Sequence, residues 1–591
     1  MTFQSDGRGR GAVLALAFLA ILQTGAVIPA QAEARPIEKF EPAESLEGNY
    51  LAAVVAGSGR DLGAASVYLR EAIKDDPQNS ELLERGFVAF LADGAMGDTF
   101  RAAEKLVQRD ASNGLAQLAL GVRAIKQKSY GAARSQLQRG GRGRSADITA
   151  TLLAAWAYSG SGETNRAIET LERLRGESTF DRFRDYHAGL ILDIAGRKAE
   201  STRRLKAAYD AEKTNLRLVD LWARHQARAG DREAALATLN EFEQRVRPNH
   251  PVVRDALAKV TAKEPLQRIV GNTQQGAAEV LYGLASAGIL QGDEATALLY
   301  LRLAVYLDPG HDLAVLTLGD ILERAKQTED AVEVYRRMPE NSALRPVADI
   351  QIGLGLEALG KTEEAVKQMD ALIAARPDDI EAISALGNIY RSRKRFEEAA
   401  EAYNRAVTKL PSPGRSNWDL FYSRGIAYER TKRWPEAEAD LRKALELMPE
   451  ALGRERALVL NYLGYSLVDR NLKLDEALGM LRRAVELRPR DGYIIDSLGW
   501  AHYRLGRYDE AVTELERAME LRPSDPVIND HLGDVYWRTG RQLEAKFQWN
   551  HARDLGPEPD DLTRILRKIE KGLDEAPPSA NAAEPTKKDG G

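Results

Sequence analysis

Two aromatic–arginine pairs are the residues of this chain best suited to hold a ligand. Tyr503 precedes Arg504, and Trp537 precedes Arg538 thirty-four residues later. Aromatic rings offer a large contact area and a guanidinium offers a planar fork of donors, so both types are frequent anchors of interfaces. Because the two pairs recur at one spacing, they indicate binding along a repeated surface. The competing interpretation is that the rings pack between repeats and the arginines are solvated.

Residues suited to catalysis occur, but their spacing does not bring them together. The seven histidines are scattered, and none has a second ligand type at metal-binding spacing, although His502 and His531 fall in neighbouring repeats. Acidic pairs such as Asp509-Glu510 recur where the second helix of a repeat begins, and the helix dipole explains them there. The sequence contains no phosphate-binding glycine loop, nucleophile elbow or cysteine. It therefore predicts a protein that is not an enzyme and holds no cofactor or metal.

A small residue recurs every 34 positions through most of the chain, and this period indicates which elements carry the pairs. One such series is Ala399, Ala365, Ala331 and Ala297. A fixed period of this length is typical of stacked helical or strand units, each too small to bury its own apolar face. Alanine, leucine, glutamate and arginine dominate and β-branched residues are sparse, which favours helices. The predicted fold class is therefore an all-α solenoid.

The residues within one repeat closely resemble those of the tetratricopeptide repeat. In the segment IIDSLGWAHYRLGRYDEAVTELERAMELRP, Leu498-Gly499 lies in a first helix, and Ala511 and Leu515 share one face of a second. A glycine turn separates the helices, and Pro523 follows the second helix. The resemblance covers most of the chain. It implies a right-handed superhelix of about 14 helix–turn–helix units with a carboxyl-terminal capping helix.

The first helix of each pair lines the concave groove in proteins of this type, so the resemblance also implies where a partner would bind. The candidate groove residues are Tyr465, Asp496, Trp500, Tyr503, Arg504, Asp530, Asp534, Trp537 and Arg538. For Trp500 and Trp537 the sequence leaves partner contact and packing between repeats equally open. Trp549 replaces a packing leucine and is predicted to lie in the core. The lysines and asparagines with which some such repeats grip a terminal carboxylate are not found.

Interruptions of the period divide the chain into segments. The predicted segments are a signal peptide, 1–32, a linker, 33–45, an amino-terminal array, 46–247, an irregular joint, 248–280, a carboxyl-terminal array, 281–558, a capping helix, 559–574, and a disordered tail, 575–591. The joint is expected to contain a short helix from Val252 to Thr261. The capping helix is predicted because its apolar residues share one face. The glycine and arginine stretch from Arg139 to Ser145 is interpreted as a solvated loop.

The amino terminus predicts export. Arg8 and Arg10 precede an apolar run from Gly11 to Ile28, and small residues at Ala30 and Ala32 fit a signal-peptidase site. Cleavage would leave a periplasmic protein that begins near residue 33. The alternative is an uncleaved segment that anchors the chain in the inner membrane, because the run is about as long as the minimum for a span. Otherwise no membrane contact is expected.

The order of the motifs NYLGYSLVDR, DSLGWAHYRLG and NDHLGDVYWRTGR is similar to that in exported bacterial tetratricopeptide-repeat proteins. Some of these are envelope lipoproteins that bring substrates to a carboxyl-terminal processing protease. The resemblance implies a noncatalytic envelope adaptor whose partners are other proteins, with an envelope protease or its substrates as candidates. This chain lacks the lipid-bearing cysteine of those proteins. The alternative function is an assembly factor for an exported polysaccharide or an outer-membrane machine.

The charge balance bears on the class of partner. The formal net charge is −5 at pH 7 across 591 residues. Binding to nucleic acid requires a concentrated basic surface, so this balance argues against a nucleic-acid ligand. The sequence makes no prediction of oligomeric state.

Overall fold

The computed structural model describes residues 41–140, 144–174, 178–246 and 249–573, and in these ranges it contains 30 α-helices and no β-strand. Turns join most of these helices two by two in chain order, while α13 and α30 stand outside this pattern. The predicted all-α fold of repeated helix pairs is confirmed. The predicted signal peptide, the tail, most of the linker and part of the Arg139–Ser145 stretch lie outside the described residues. No helix in the described ranges is long and apolar enough to cross a lipid bilayer.

The helices group into two compact units, and the first comprises residues up to 225 together with 267–309. Helix α11 continues a few residues past this boundary. The helices of the first unit are α1 Leu46–Ser58, α2 Leu62–Asp75, α3 Ser80–Asp93, α4 Met96–Arg109, α5 Gly114–Lys126, α6 Tyr130–Gly140, α7 Arg144–Gly160, α8 Thr164–Glu172, α9 Ser178–Ile194, α10 Lys198–Ala211, α11 Leu216–Arg228, α14 Thr273–Leu290 and α15 Glu294–Leu307.

The second unit comprises residues 226–266 and the chain from 310 onward. Its helices are α12 Arg232–Arg245, α13 Pro251–Thr261, α16 Asp312–Arg324, α17 Thr328–Tyr335, α18 Arg345–Ala358, α19 Thr362–Ala375, α20 Ile380–Ser392, α21 Phe396–Thr408, α22 Trp418–Arg430, α23 Trp434–Leu447, α24 Gly453–Asp469, α25 Leu474–Leu487, α26 Gly492–Arg504, α27 Tyr508–Leu521, α28 Pro526–Arg538, α29 Gln542–Asp554 and α30 Pro559–Lys571. Helix α13 is the short helix expected in the joint.

Local chemistry explains where the helices begin, end and cross. Asp525 caps α28 by accepting hydrogen bonds from the backbone amides of Val527 and Ile528. Gly540 follows the same helix with a φ of +81°, a left-handed conformation that glycine adopts without steric strain. The 34-residue series of small residues marks the helix crossings, and Ala511 on α27 is completely buried there. Small side chains at these positions let two backbones approach closely.

The pair α14–α15 packs against the first helices of earlier pairs in the first unit. Helix α14 contacts α5, α7 and α9, and α15 contacts α3 and α5. We call the surface formed by the first helices of a unit its first-helix face. Arg302 on α15 donates from Nε to the backbone oxygen of Ala92 at 2.8 Å, and Lys126 on α5 donates to the backbone oxygen of Leu307 at 2.8 Å. The chain itself therefore covers this part of the face.

A buried carboxylate fixes the position of α14. Glu279 is only 2% exposed, and both of its oxygens accept hydrogen bonds from Arg217, at 2.9 and 2.6 Å. The hydroxyl of Tyr186 donates to the same carboxylate at 2.7 Å, and burial raises the pKa of this tyrosine well above its usual value. Removing one partner from a buried ion pair costs about 3 to 5 kcal/mol. The contact between Glu279 and Arg217 therefore holds α14 in one position.

The arrangement of α14 and α15 differs from the predicted segments. The predicted boundary at residue 280 put the first part of α14 in the irregular joint, 248–280, and the rest of the pair in the carboxyl-terminal array, 281–558. In the structure they belong to the first unit. The period reports which helices form a pair, whereas the surface against which a pair packs depends on residues outside the repeat pattern, such as Glu279 and Gly276.

Gly276 provides a test of this packing. An added Cβ there would lie 2.3 Å from the ring of Trp156, which is fully buried and cannot move aside. We expect Gly276→Ala to lower the free energy of unfolding of the first unit by about 1 to 3 kcal/mol, measured by urea denaturation. Gly131→Ala is the matched control, because a Cβ at Gly131 meets no atom within 4 Å. Equal stability of the two variants would contradict the packing described here.

Candidate partner-binding surface

The nine predicted groove residues lie on three successive first helices of the second unit. Tyr465 is on α24, the next four are on α26, and the last four are on α28. Tyr465, Trp500, Tyr503, Arg504, Trp537 and Arg538 are half-buried, whereas Asp496, Asp530 and Asp534 are buried. The aromatic and arginine side chains are therefore accessible in part, and the three carboxylates need partners within the protein.

Asp496 finds its partner on the next first helix. Its oxygens lie 3.0 and 3.1 Å from Nδ1 of His531. Burial lowers the pKa of His531, but the carboxylates of Asp496, Asp530 and Asp534 outweigh burial, so the pKa is raised above its usual value. Trp500 stacks on the His531 ring at a centroid distance of 4.1 Å. This pair therefore holds one face of Trp500 in a fixed orientation.

The aromatic side chains next to Trp500 are also held in place. Tyr503 stacks on Trp500 at 4.7 Å. Burial raises the pKa of Tyr503, and the charge of Arg538 on the following first helix offsets part of that effect. Arg504 donates from Nη1 to the backbone oxygen of Asp469 at 3.4 Å. The surface formed by Trp500, Tyr503, Arg504 and Arg538 is called the aromatic–arginine surface below. Its side chains are ordered by contacts within the protein before any partner binds.

Asp530 and Asp534 pair with the last helix of the described chain. Lys568 on α30 lies 2.8 Å from Oδ2 of Asp530 and 2.8 Å from Oδ1 of Asp534. Burial raises the pKa of Asp534, and the charge of Lys568 offsets part of that effect. Burial lowers the pKa of Lys568, but the two carboxylates raise it by more than burial lowers it. The pKa of Lys568 is therefore above its usual value. These two groove residues are therefore covered by α30.

Helix α30 and the residue that follows it also contact the core of the last helix pair and Trp537. Its Ile565 is 1% exposed and joins the core cluster that contains Leu532 and Trp549. After the helix ends, Gly572 lies against the ring of Trp537, and an added Cβ would be 2.0 Å from that ring. Trp537 therefore packs within the protein.

The first part of α30 extends beyond the last helix pair. Glu558, just before the helix, lies 3.8 Å from Lys394 in the turn after α20, four pairs earlier in the chain. Burial raises the pKa of Tyr465 on α24, and the charges of Arg564 and Asp561 on α30 also act on it. In a regular stack of repeats, each helix pair contacts only the neighbouring pairs. Helix α30 therefore caps the last pair through Ile565 and also lies along the first-helix face of the second unit.

Family models match three parts of the second unit. Models described as "Tetratricopeptide repeat" match residues 350–412 and 418–451, and one described as "TPR repeat" matches residues 499–540. These three segments are therefore similar to tetratricopeptide repeats. The last match includes the aromatic–arginine surface.

Similar proteins share this repeat over part of their length. A TPR repeat-containing protein of Pseudomonas aeruginosa is 30% identical over 197 residues, which are 33% of this chain and 32% of that protein. The mitochondrial import receptor subunit TOM70 of Rattus norvegicus is 30% identical over 82 residues, 14% of this chain and 13% of that protein. The chain thus matches about a third or less of the length of these relatives.

Solved structures that match part of this chain's fold at low TM-score include the APC/C hetero-tetramer Cut9–Hcn1. That structure has a TM-score of 0.38 and 13% identity, and the match covers 90% of this chain and 97% of that chain. Yeast Tom70 has a TM-score of 0.28 and 12% identity, with 89% of this chain and 95% of that chain covered.

A contact that recurs in three helix pairs of the second unit explains why Asp534 is buried. Trp549 takes the place of a packing leucine, as predicted, and it is fully buried with its Nε1 donating to Asp534 at 2.9 Å. Tyr335 and Tyr403 occupy the same place in their repeats. They donate to Asp320 and Asn388 at 2.9 and 2.8 Å, each acceptor lying fifteen residues earlier. Asp534 therefore serves the core as well as the groove.

Titratable groups that could suggest catalysis lie beside side chains of the core, and these neighbours account for their surroundings. The pKa of Glu323 is raised to about 7, first by burial and then by the charge of Asp320, beside the buried Tyr335. His502, which the sequence placed near His531, is buried close to the charges of Arg482 and Glu510, whereas His531 pairs with Asp496. In the part of the chain that the structure describes, no cluster of three or more histidines and carboxylates could hold a metal ion.

The Asp496–His531 pair predicts a pH dependence of stability. Because the folded state raises the pKa of His531, its contribution is fully present below the unfolded value of about 6.5 and is lost as pH rises through the folded value. We expect His531→Gln to destabilise the second unit most below about pH 6.5, by about 1.4 kcal/mol for each unit by which the folded pKa exceeds the unfolded one. Urea denaturation at several pH values measures this difference.

The exposed His551 on α29 provides the control for this prediction. His551→Gln, made in parallel, should leave the free energy of unfolding of the second unit close to that of the unmodified protein. A loss of stability in His531→Gln that stays constant, or grows, as pH rises would show that the imidazolium does not stabilise the fold.

Proposed function

We propose that this protein is a noncatalytic scaffold that binds partner proteins through the first-helix face of its second unit. The observation that carries this proposal is the aromatic–arginine surface on α26 and α28. Trp500, Tyr503, Arg504 and Arg538 are half-buried side chains of the types that dominate protein interfaces. They lie on consecutive repeats, so an extended or helical segment of a partner could contact several of them at once.

Preorganisation favours this surface over an ordinary solvated face. Trp500 stacks on both Tyr503 and His531, and Arg504 donates a hydrogen bond to the backbone oxygen of Asp469. Ordering a free side chain during binding costs about 0.5 to 1.5 kcal/mol, and side chains that are already ordered avoid most of this cost. A partner could therefore gain contact area here without fixing the anchors itself.

The first unit offers less of its own first-helix face to a partner. Helices α14 and α15 already contact α3, α5, α7 and α9, and the Glu279 carboxylate is buried with Arg217. A partner would have to break this ion pair to reach the same surface. We therefore assign partner binding to the second unit.

We further propose that the protein works in the periplasm of a Gram-negative bacterium as an adaptor for an envelope protease or its substrates. The signal-peptide pattern of residues 1–32 supports the compartment, and the order of the carboxyl-terminal motifs supports the adaptor. A mature mass that still includes residues 1–32 in a cytosolic fraction would refute the proposed compartment.

The binding surface can be tested by removing its two arginines. We expect the combined variant Arg504→Ala and Arg538→Ala to weaken partner capture from periplasmic extract by about 30-fold or more, because truncating an anchor costs about 2 kcal/mol or more. Arg490→Ala, an exposed arginine between α25 and α26, is the control and should leave capture unchanged. Unchanged capture by a double variant with normal helicity and melting would show that this surface is not used.

A further inference from the structure

The contacts of α30 resemble those that a bound partner would make. The helix places Ile565 in the core of the last pair and sets Lys568 between Asp530 and Asp534. Asp530 and Asp534 are two of the predicted groove residues. An amphipathic helix with apolar residues three or four apart and a cation beside them thus already fits this end of the first-helix face.

One acceptor in this contact remains unused. Oδ1 of Asp530 is buried and has no hydrogen-bond partner, and the side chain is only 8% exposed. A lysine offers a single charged point, so Lys568 meets Asp530 through Oδ2 alone. A guanidinium at the same place could reach both carboxylate oxygens, because its donors form a planar fork. The site is therefore built for a cation and is incompletely satisfied by its present occupant.

The attachment of α30 is weaker than that of α14 and α15. Ile565 is the only fully buried residue of α30, and the neighbouring Leu566 is 46% exposed. The segment before the helix contains Gly556 with a φ of +72° and prolines on either side of Glu558. The turn ends α29 before α30 begins, so the two helices are separate elements of the backbone.

We propose that α30 is a tethered ligand of its own groove and that the partner displaces it with a basic amphipathic helix. The partner helix carries an arginine or lysine at the position of Lys568 and apolar residues at the positions of Ile565 and Ile569. When it binds, Asp530 and Asp534 exchange one cation for another and so are never left unpaired. This inference rests on the proposed function, since it names the kind of segment that the first-helix face of the second unit accepts.

The test uses a labelled peptide with the sequence of residues 558–573 and the full-length protein. The wild-type protein should bind the peptide weakly, because its own helix competes at a high effective concentration. Two variants release α30 by different contacts. Lys568→Glu reverses the charge that meets the aspartates, and Gly572→Val drives a side chain into the ring of Trp537. Both should bind the peptide at least about tenfold more tightly than wild type, as a site that is free rather than mostly occupied would.

Matched peptides and a groove variant make the test specific. A peptide with Lys568→Glu should lose binding, and one with Lys568→Arg should bind at least as tightly as the parent peptide. Adding Asp530→Asn to Gly572→Val should remove most of the gain. Equal affinity of wild type and both released variants, measured with normal helicity, would overturn the proposal. That outcome would leave partner capture by the aromatic–arginine surface untouched, because Arg504 and Arg538 are tested separately.

Discussion

A buried charge must be paired, and in each unit of this protein one such pairing joins the repeats to a helix that lies on the first-helix face. In the first unit the covering helix supplies the carboxylate of Glu279, and the repeats supply Arg217 and Tyr186. The second unit reverses these roles, since the repeats supply Asp530 and Asp534 and the covering helix supplies Lys568. Leaving either charge alone would cost several kcal/mol, so the two covering elements are held by the same kind of interaction.

The two covering elements differ in how many of their residues are buried. For this reason we assign a structural role to α14–α15 and a role in partner binding to α30. The pair α14–α15 contacts four first helices and buries Glu279 almost completely. Helix α30 buries one residue and is joined by a turn of glycine and prolines. Elements that must move during binding come from the least stable part of a structure. The second unit is therefore where a partner can exchange places with the chain.

The period of the sequence predicted the helices, but not what covers them. Small residues every 34 positions report helix crossings, which the burial of Ala511 illustrates. They do not predict the packing of Gly276 against Trp156 or the ion pairs of Lys568 with two aspartates, because neither contact is repeated at the 34-residue period. One signal was available, since Asp530 and Asp534 lie one helical turn apart and so do Arg564 and Lys568. The burial of Trp549 was predictable because this residue replaces a repeated leucine. The environments of Trp500 and Trp537 were not, because they depend on neighbours that the repeat pattern does not specify.

Hydrogen exchange of the free, full-length protein tests the central claim most directly. Amides of α14 and α15 should exchange as slowly as those of the helices they cover, because opening them would expose Glu279. Amides of α30 should exchange much faster than those of α28 and α29, because the helix separates while the last pair stays folded. Protection of α30 equal to that of α28 would contradict the account, since a helix opening only with its repeat could not be displaced by a partner.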